Sequence, residues 1–293
     1  MQACLTAYPP EQAAISCTLD PGGTLRIGRT VDDGLRLEHP SISRAHAELR
    51  FAEGAWRLRD LDSKNGSFVD GIRVDDTALV SASWLRLGDV YCEFAPLSDD
   101  EVAAAQASQR TRRARVTAQT QRLDGVQRLD DLLDASLHGV VELAQCERGF
   151  VLLSQGERFA IRSRLALDPA QLASPTFSGS VGAIRRALGE RKSVVANDIG
   201  LDPWLASRAS VVAAGLNALV CLPLLDGERA LGAIYADRMH PGPAISTLDL
   251  ELLEAFAETA SLWIAARRNS DLLAGGEDAL QWDAVLAAHG EAS

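Results

Sequence analysis

Between Ile27 and Val69, apolar runs of strand length alternate with three polar clusters: Gly28-Arg29, Ser41 to His46, and Ser63 to Ser67. Each run is too short for a helix and each cluster is rich in turn formers, so the stretch is constrained to strands joined by loops. Gly22-Gly23, Glu53-Gly54, Asp70-Gly71 and Gly88-Asp89 continue the punctuation, and residues 1–97 read as an all-β unit. Such alternation fits a sandwich or a barrel equally. In either, loops at one end of the scaffold converge. The clusters would bring together two guanidiniums, an ammonium, hydroxyls and a carboxamide with no carboxylate among them, a set suited to a doubly charged anion with several acceptor oxygens. Taken singly, Asn65-Gly66 is a common hairpin turn, Arg29 a surface arginine and His46 a structural histidine. The order and spacing of the whole set point to a phosphate carried on a protein.

These residues resemble the forkhead-associated (FHA) domain, a phosphothreonine-peptide reader built as a β-sandwich. The G-R, S-x-x-H and N-G elements occur in order, over about the first third of the chain. The resemblance implies that Arg29 and Ser43 bind the phosphate and that Arg44 adds charge. Asn65 would hydrogen-bond the peptide backbone beside the phosphothreonine. Gly28, His46 and Gly66 would support the site, His46 by buttressing the Ser43 loop and Gly66 by permitting the turn after Asn65. The position before Asn65 often carries Thr or Ser in the family. Here it is Lys64, which serves a phosphate as a point charge.

From Ser98 to about Gln121 the composition shifts to Ala, Gln, Arg and Glu, and 98–122 reads as a linker that permits a helix but buries little. Leu123, Val126, Leu129, Leu133, Leu137 and Val140 then step by three or four, predicting one helix of about five turns. Strand-like segments follow at Gly149–Leu153, Phe159–Leu165, Val194–Val195, Leu219–Leu224 and Ala230–Ala236, with helices near Val181–Gly189 and over Thr247–Arg268. In the last helix Leu248, Leu252, Phe256, Ala260 and Trp263 mark the apolar stripe. Helices first, last and between, around an antiparallel sheet, indicate an α+β domain.

The segments SPTFSGSVGAIRRALGERKSVVANDIGLDPWL, LNALVCLPLL, RALGAIYADR and DLELLEAFAETAS resemble a GAF domain, a relative of PAS sensory modules, over residues 123–269. The subtype is one found in bacterial signalling proteins, including some that join FHA to GAF. The resemblance implies a small-ligand pocket and flanking helices that form a homodimer, though both stripes also suit a monomer's core. Cyclic-nucleotide members carry N-K-x-x-F, which Asn197-Asp198 does not continue. Bilin attachment needs a reactive cysteine; Cys221 lies in an apolar strand and Cys146 has no neighbouring histidine. His138 and His240 are poorly placed for haem. Phe177, Ser178, Asn197, Asp198 and Trp204 are the pocket candidates, with a capped turn at Asn197 to Trp204 as the alternative.

Composition narrows the function further. The net charge of −11 disfavours nucleic acid as a partner, no apolar run reaches a membrane span, and five scattered cysteines suit a reducing cytoplasm. Dispersed His and Cys argue against a metal, no cofactor is implied, and no nucleophile–base pattern marks an enzyme. The expectation is a cytoplasmic signalling adaptor that docks on a phosphothreonine-bearing protein, the substrate of a Ser/Thr kinase, and that senses a ligand or dimerises through its second domain. The alternatives are a regulatory fragment or subunit of a separate output module, such as a transcription activator, cyclase or phosphatase, and a scaffold with a silent phosphate site. Residues 270–293 read as an acidic tail.

Overall fold

The computed structural model describes residues 2–10, 12–156, 158–168, 181–197, 217–271 and 280–281. The chain divides into two compact units, Met1–Gln109 and Arg110–Ser293. The division falls inside the segment expected to be a linker.

The first unit is a β-sandwich. One sheet orders β2 (Ile15–Leu19), β1 (Gln2–Tyr8), β11 (Val90–Leu97), β10 (Ser83–Leu87), β7 (Ser67–Val69) and β8 (Ile72–Val74). The other orders β4 (Leu35–Arg36), β3 (Thr24–Gly28), β5 (Ala47–Ala52), β6 (Ala55–Asp60) and β9 (Asp76–Leu79). All pairings are antiparallel except β3 with β4. Alternation along β1 buries Ala3, Leu5 and Ala7, and the inner faces interlock through Ile27, Leu49, Trp56, Leu58, Leu85, Leu87 and Phe94. Burying each large apolar side chain contributes about 1.5–3 kcal/mol, enough to fix strand register by keeping the same residues inward.

Helix α1 (Asp99–Leu123) is continuous through the expected linker. It is capped reciprocally: the Ser98 amide donates to Glu101 and the Glu101 amide to Ser98 Oγ. Only Gln119 and Leu123 are buried, in keeping with its lack of large apolar residues. The single five-turn helix expected from Leu123 is instead broken: α1 ends at Leu123 and α2 (Leu129–Leu143) begins six residues on. Gly125 lies between them at φ 85°, where the chain leaves helical geometry.

The second unit centres on an antiparallel sheet ordered β14 (Val194–Asn197), β15 (Ala218–Asp226), β16 (Arg229–Arg238), β12 (Arg148–Gln155), β13 (Arg158–Leu165) and β17 (Leu280–Gln281). Helix α3 (Val181–Glu190) packs Ile184 and Ala187 against Phe150, Leu152, Cys221 and Tyr235 on one face. Helices α2 and α4 (Thr247–Asp271) cover the other. Being covered on both faces, β12 is buried from Gly149 to Ser154. Gly139 lets α2 meet α4 closely, since a Cβ there would stand 2.4 Å from the Phe256 ring. The buried stripe of α4 is Leu253, Phe256, Ala257, Ala260, Ser261 and Ile264. Leu248, Leu252 and Trp263 of the expected stripe lie half-buried at its flank, and Arg112 of α1 bonds Asp249 at the start of the helix. No helix among the described residues is long and apolar enough to cross a membrane.

Candidate functional site

Three loops at one end of the sandwich are tied together by backbone. The Arg29 amide donates to the Ser43 carbonyl (2.9 Å) and the Thr30 amide to that of Arg44 (3.3 Å). Gly28 permits this approach, since a Cβ would sit 2.2 Å from the Arg44 oxygen. His46, fully buried, bridges two of the loops. Its Nδ1 accepts from the Ser43 amide (3.1 Å), which leaves Nε2–H to donate to the Gly66 carbonyl (3.2 Å). Burial lowers the His46 pKa, only partly offset by the Gly66 carbonyl and Asp60, so the ring is held neutral. The Lys64 amide donates to Ser43 Oγ (3.0 Å) and Asn65 Nδ2 to the Ser41 carbonyl (2.8 Å). Asn65 is exposed, and its amide nitrogen is committed to the scaffold through that bond.

The residues expected to touch ligand and those expected to support it separate by burial. Arg29, Arg44, Lys64 and Asn65 are exposed and Ser43 half-buried, whereas Gly28, His46 and Gly66 are buried. Among the described residues, Arg29, Arg44 and Lys64 have no ion-pair partner. Four arginines along the strands do: Arg26 with Glu48, Arg36 with Glu38, and Arg50 and Arg57 with Asp76. The loop end therefore carries three exposed cations that make no ion pair among the described residues, on residues whose backbones adjoin Ser43.

Several supporting residues escaped the sequence reading. Asp60 accepts from the Ser63 amide (2.8 Å) and from the Ser63 and Ser67 hydroxyls (both 2.6 Å), and Ser63 Oγ accepts from the Gly66 amide (3.0 Å). Burial pushes the Asp60 carboxyl up, but these donors outweigh it and the net shift is down. Ser41 Oγ accepts from the Asp89 amide and pairs with His39 Nδ1. An Asp followed three residues later by Ser is the available signal for such a turn. Arg73 was also missed. It lies on β8 against Gly66, two residues beyond Asp70-Gly71, and only cross-strand geometry reveals it.

In the second unit, Phe177, Ser178, Asp198 and Trp204 lie outside the described residues. Asn197 is described and is structural at both ends of its amide: Nδ2 donates to the Ile245 carbonyl (3.1 Å) and Oδ1 accepts from the Ile245 amide (2.8 Å). An open groove of about 410 Å³ lies elsewhere, between Arg191, Lys192 and Ser193 on one side and Glu254 and Glu258 of α4 on the other. Burial pushes the Cys146 thiol up to about 12 and that of Cys221 higher still, so neither is a nucleophilic thiolate. His138 bonds the Asp134 carbonyl and His240 bonds Glu147, both at the surface.

Residues 25–90 match the FHA domain family and residues 128–264 the GAF domain family. The ABC transporter ATP-binding/permease protein Rv1747 of Mycobacterium tuberculosis is 37% identical over 75 residues, 26% of this chain and 9% of the transporter. The glycogen accumulation regulator GarA of Mycolicibacterium smegmatis is 33% identical over 79 residues, 26% of this chain and 50% of the regulator. The chain thus matches half or less of the length of either relative. Among solved structures, the first FHA domain of Rv1747 from M. tuberculosis is similar at 28% identity and a TM-score of 0.28, covering 32% of this chain and 97% of that one. The chain carries an FHA domain followed by a GAF domain.

Proposed function

We propose that the chain is a signalling adaptor whose FHA domain docks on a phosphothreonine-bearing protein. One observation carries this reading: Arg29, Arg44 and Lys64, whose backbones adjoin Ser43, are exposed and make no ion pair among the described residues, on loops pinned by neutral, buried His46. A phosphate dianion supplies the missing charge and accepts from guanidinium, ammonium and hydroxyl donors together. Arg29 and Ser43 are the direct ligands, Arg44 and Lys64 add charge, and Asn65 contacts the peptide through the part of its amide not bonded to Ser41. Binding rather than catalysis fits the chemistry. Asp60 accepts from three donors and both His46 nitrogens are engaged, so neither stands as a free base.

The test is binding of the full chain to phosphothreonine peptides, with phosphoserine and unphosphorylated controls. Selective binding that Arg29→Ala abolishes supports the reading. A folded chain that binds no phosphopeptide overturns it.

The GAF half is proposed to join two copies of the chain or to hold a small ligand. Support for pairing is the outer face of α4, where Leu262 is 73% exposed in line with Ala255 and Ala266. Sedimentation of the wild type and of Leu262→Glu checks it: a dimer that the substitution dissociates supports the role, and a wild-type monomer removes it.

A further inference from the structure

The groove of about 410 Å³ beside α4 carries opposite charges on its two sides, a size ordinary for a small-molecule site. Arg191, Lys192 and Ser193 follow α3 on one side, and Glu254 and Glu258 of α4 stand on the other. No ion pair crosses it: among the described residues Lys192, Glu254 and Glu258 have no charged partner. The two glutamates are four residues apart on one helix, a spacing at which like charges repel and a cation relieves them.

The cationic side is braced by its backbone. Arg191 holds φ 56°, the left-handed conformation in which a helix more often ends on Gly or Asn. Its guanidinium donates to the Glu228 carbonyl (2.7 Å), which ties the turn to the β15–β16 hairpin and sets Lys192 at the groove. Between the sides lie Pro223 and Leu225 of β15 and Ala257 of α4. The pairing of β14 with β15 starts at Val194 and Cys221, so β15 runs on from Leu222 to Asp226 with β16 alone. Pro223 brings no amide to that edge, and a register shift between Leu224 and Leu225 turns the Leu225 amide to Ser261 Oγ (3.2 Å). Both features resist the addition of another strand, so the groove suits a compact ligand.

We propose that this groove binds a small zwitterion of the α-amino-acid class. Lys192 and the Ser193 hydroxyl hold its carboxylate, Glu254 and Glu258 its ammonium, and Pro223, Leu225 and Ala257 an apolar side chain. This rests on the small-ligand reading of the GAF half and names the ligand's chemistry.

The experiment titrates the full chain calorimetrically with a panel of apolar α-amino acids, with their N-acetyl forms, which lack the ammonium, and with their amides, which lack the carboxylate. A free amino acid is expected to bind, and each capped form to bind about three- to tenfold more weakly, the range of a partly exposed charge-assisted contact. Lys192→Glu and Glu258→Lys should each lose affinity by a similar factor. Combining them should recover most of it, because the two sides then trade signs and the ligand reverses; a folding defect would not be repaired in this way. Glycine should bind more weakly than leucine, having nothing to lay against Pro223 and Leu225. Capped forms that bind as well as the free amino acid overturn the proposal, as do substitutions that leave affinity unchanged. A nucleotide that binds where no amino acid does, and ignores both substitutions, overturns this proposal alone and keeps the small-ligand reading. No binding by either class removes both.

Discussion

In the FHA domain the guanidiniums of Arg29, Arg44 and Arg73 make no ion pair among the described residues, whereas in the GAF domain Asp237, Arg238 and Arg112 are partnered internally. Asp237, 0% exposed, is held by Arg148 and by the Tyr235 hydroxyl (2.7 Å). Arg238, 3% exposed, donates to the carbonyls of Gln145 and Pro243. Arg112 of α1 chelates Asp249, whose carboxylate also caps α4 through the Ser246 amide. A charge that the fold satisfies is structural, and one that it holds in place without a partner awaits one from outside.

Substitution tests that contrast directly. Asp237→Ala removes a fully buried carboxylate that pairs with Arg148 and accepts from the Tyr235 hydroxyl, and breaking such a pair costs about 3–5 kcal/mol. The GAF domain's melting temperature should fall on the order of 10 °C, and phosphopeptide affinity should stay as it was. Calorimetry and a binding titration on the same preparation check both halves. Arg29→Ala should do the reverse. Docking loses about 2–5 kcal/mol, the usual loss when one member of a hydrogen-bonded charge pair is removed at an interface. Stability changes by no more than about 0.5 kcal/mol, since Arg29 is exposed and makes no ion pair among the described residues. If Arg29→Ala melts the FHA domain, the contrast between held and free charge fails at its main point.

His46 sits between these extremes, because it is buried and yet serves the exposed site. The usual cost of orphaning buried partners is about 1–3 kcal/mol, expected here for His46→Ala through the Ser43 amide and Gly66 carbonyl. Its pH dependence has a definite sign. The folded pKa lies below the unfolded value near 6.5, so the unfolded chain takes up the proton first. The contribution is complete above pH 6.5 and is lost as pH falls from there through the folded value. Protonation of Nδ1 would also remove the acceptor of the Ser43 amide. Chemical denaturation at pH 7.5 and 5.5 should show a larger loss for the wild type than for His46→Gln. Equal losses would mean that the ring is not held neutral.

What the sequence disclosed follows the same division. The proposed FHA site could be read from sequence because its candidate residues are polar and lie at turns, where position in a loop and chemical type carry one message. Gly28, His46 and Gly66 were readable as supports for the same reason. Asp60 and Arg73 were passed over: Asp60 holds hydroxyls three and seven residues on, which only its spacing to Ser63 hints at, and Arg73 meets Gly66 across the β7–β8 hairpin. In the GAF domain, apolar period located the sheet and helices but misjudged their limits. Leu123 and Val126 continue the helical spacing on paper, yet Gly125 turns the chain at φ 85° between them. Asn197 had the right chemistry for a pocket. Its partner, the Ile245 backbone, is 48 residues away, and no local pattern announces it.

The smallest expected effect sharpens the comparison at the family's point of departure. Lys64 stands where a hydroxyl residue is usual, and its backbone amide, not its side chain, holds Ser43 Oγ at 3.0 Å. Replacing the side chain therefore leaves the scaffold of the site in place. What Lys64→Thr exchanges is an exposed ammonium for a hydroxyl, a point charge screened by solvent for a shorter directional donor. Affinity for the phosphopeptide should change by no more than about tenfold, and the wild-type advantage should shrink as salt is raised from about 0.05 to 0.5 M. Arg29→Ala should stay deleterious at every ionic strength, because a direct guanidinium–phosphate pair depends on hydrogen-bond geometry as well as on charge. A Lys64→Thr variant that binds nothing would show that the ammonium is itself a ligand of the phosphate. A variant that binds better at all salt concentrations would show instead that Lys64 weakens the site, leaving Arg29, Ser43 and Arg44 to hold the phosphate without it.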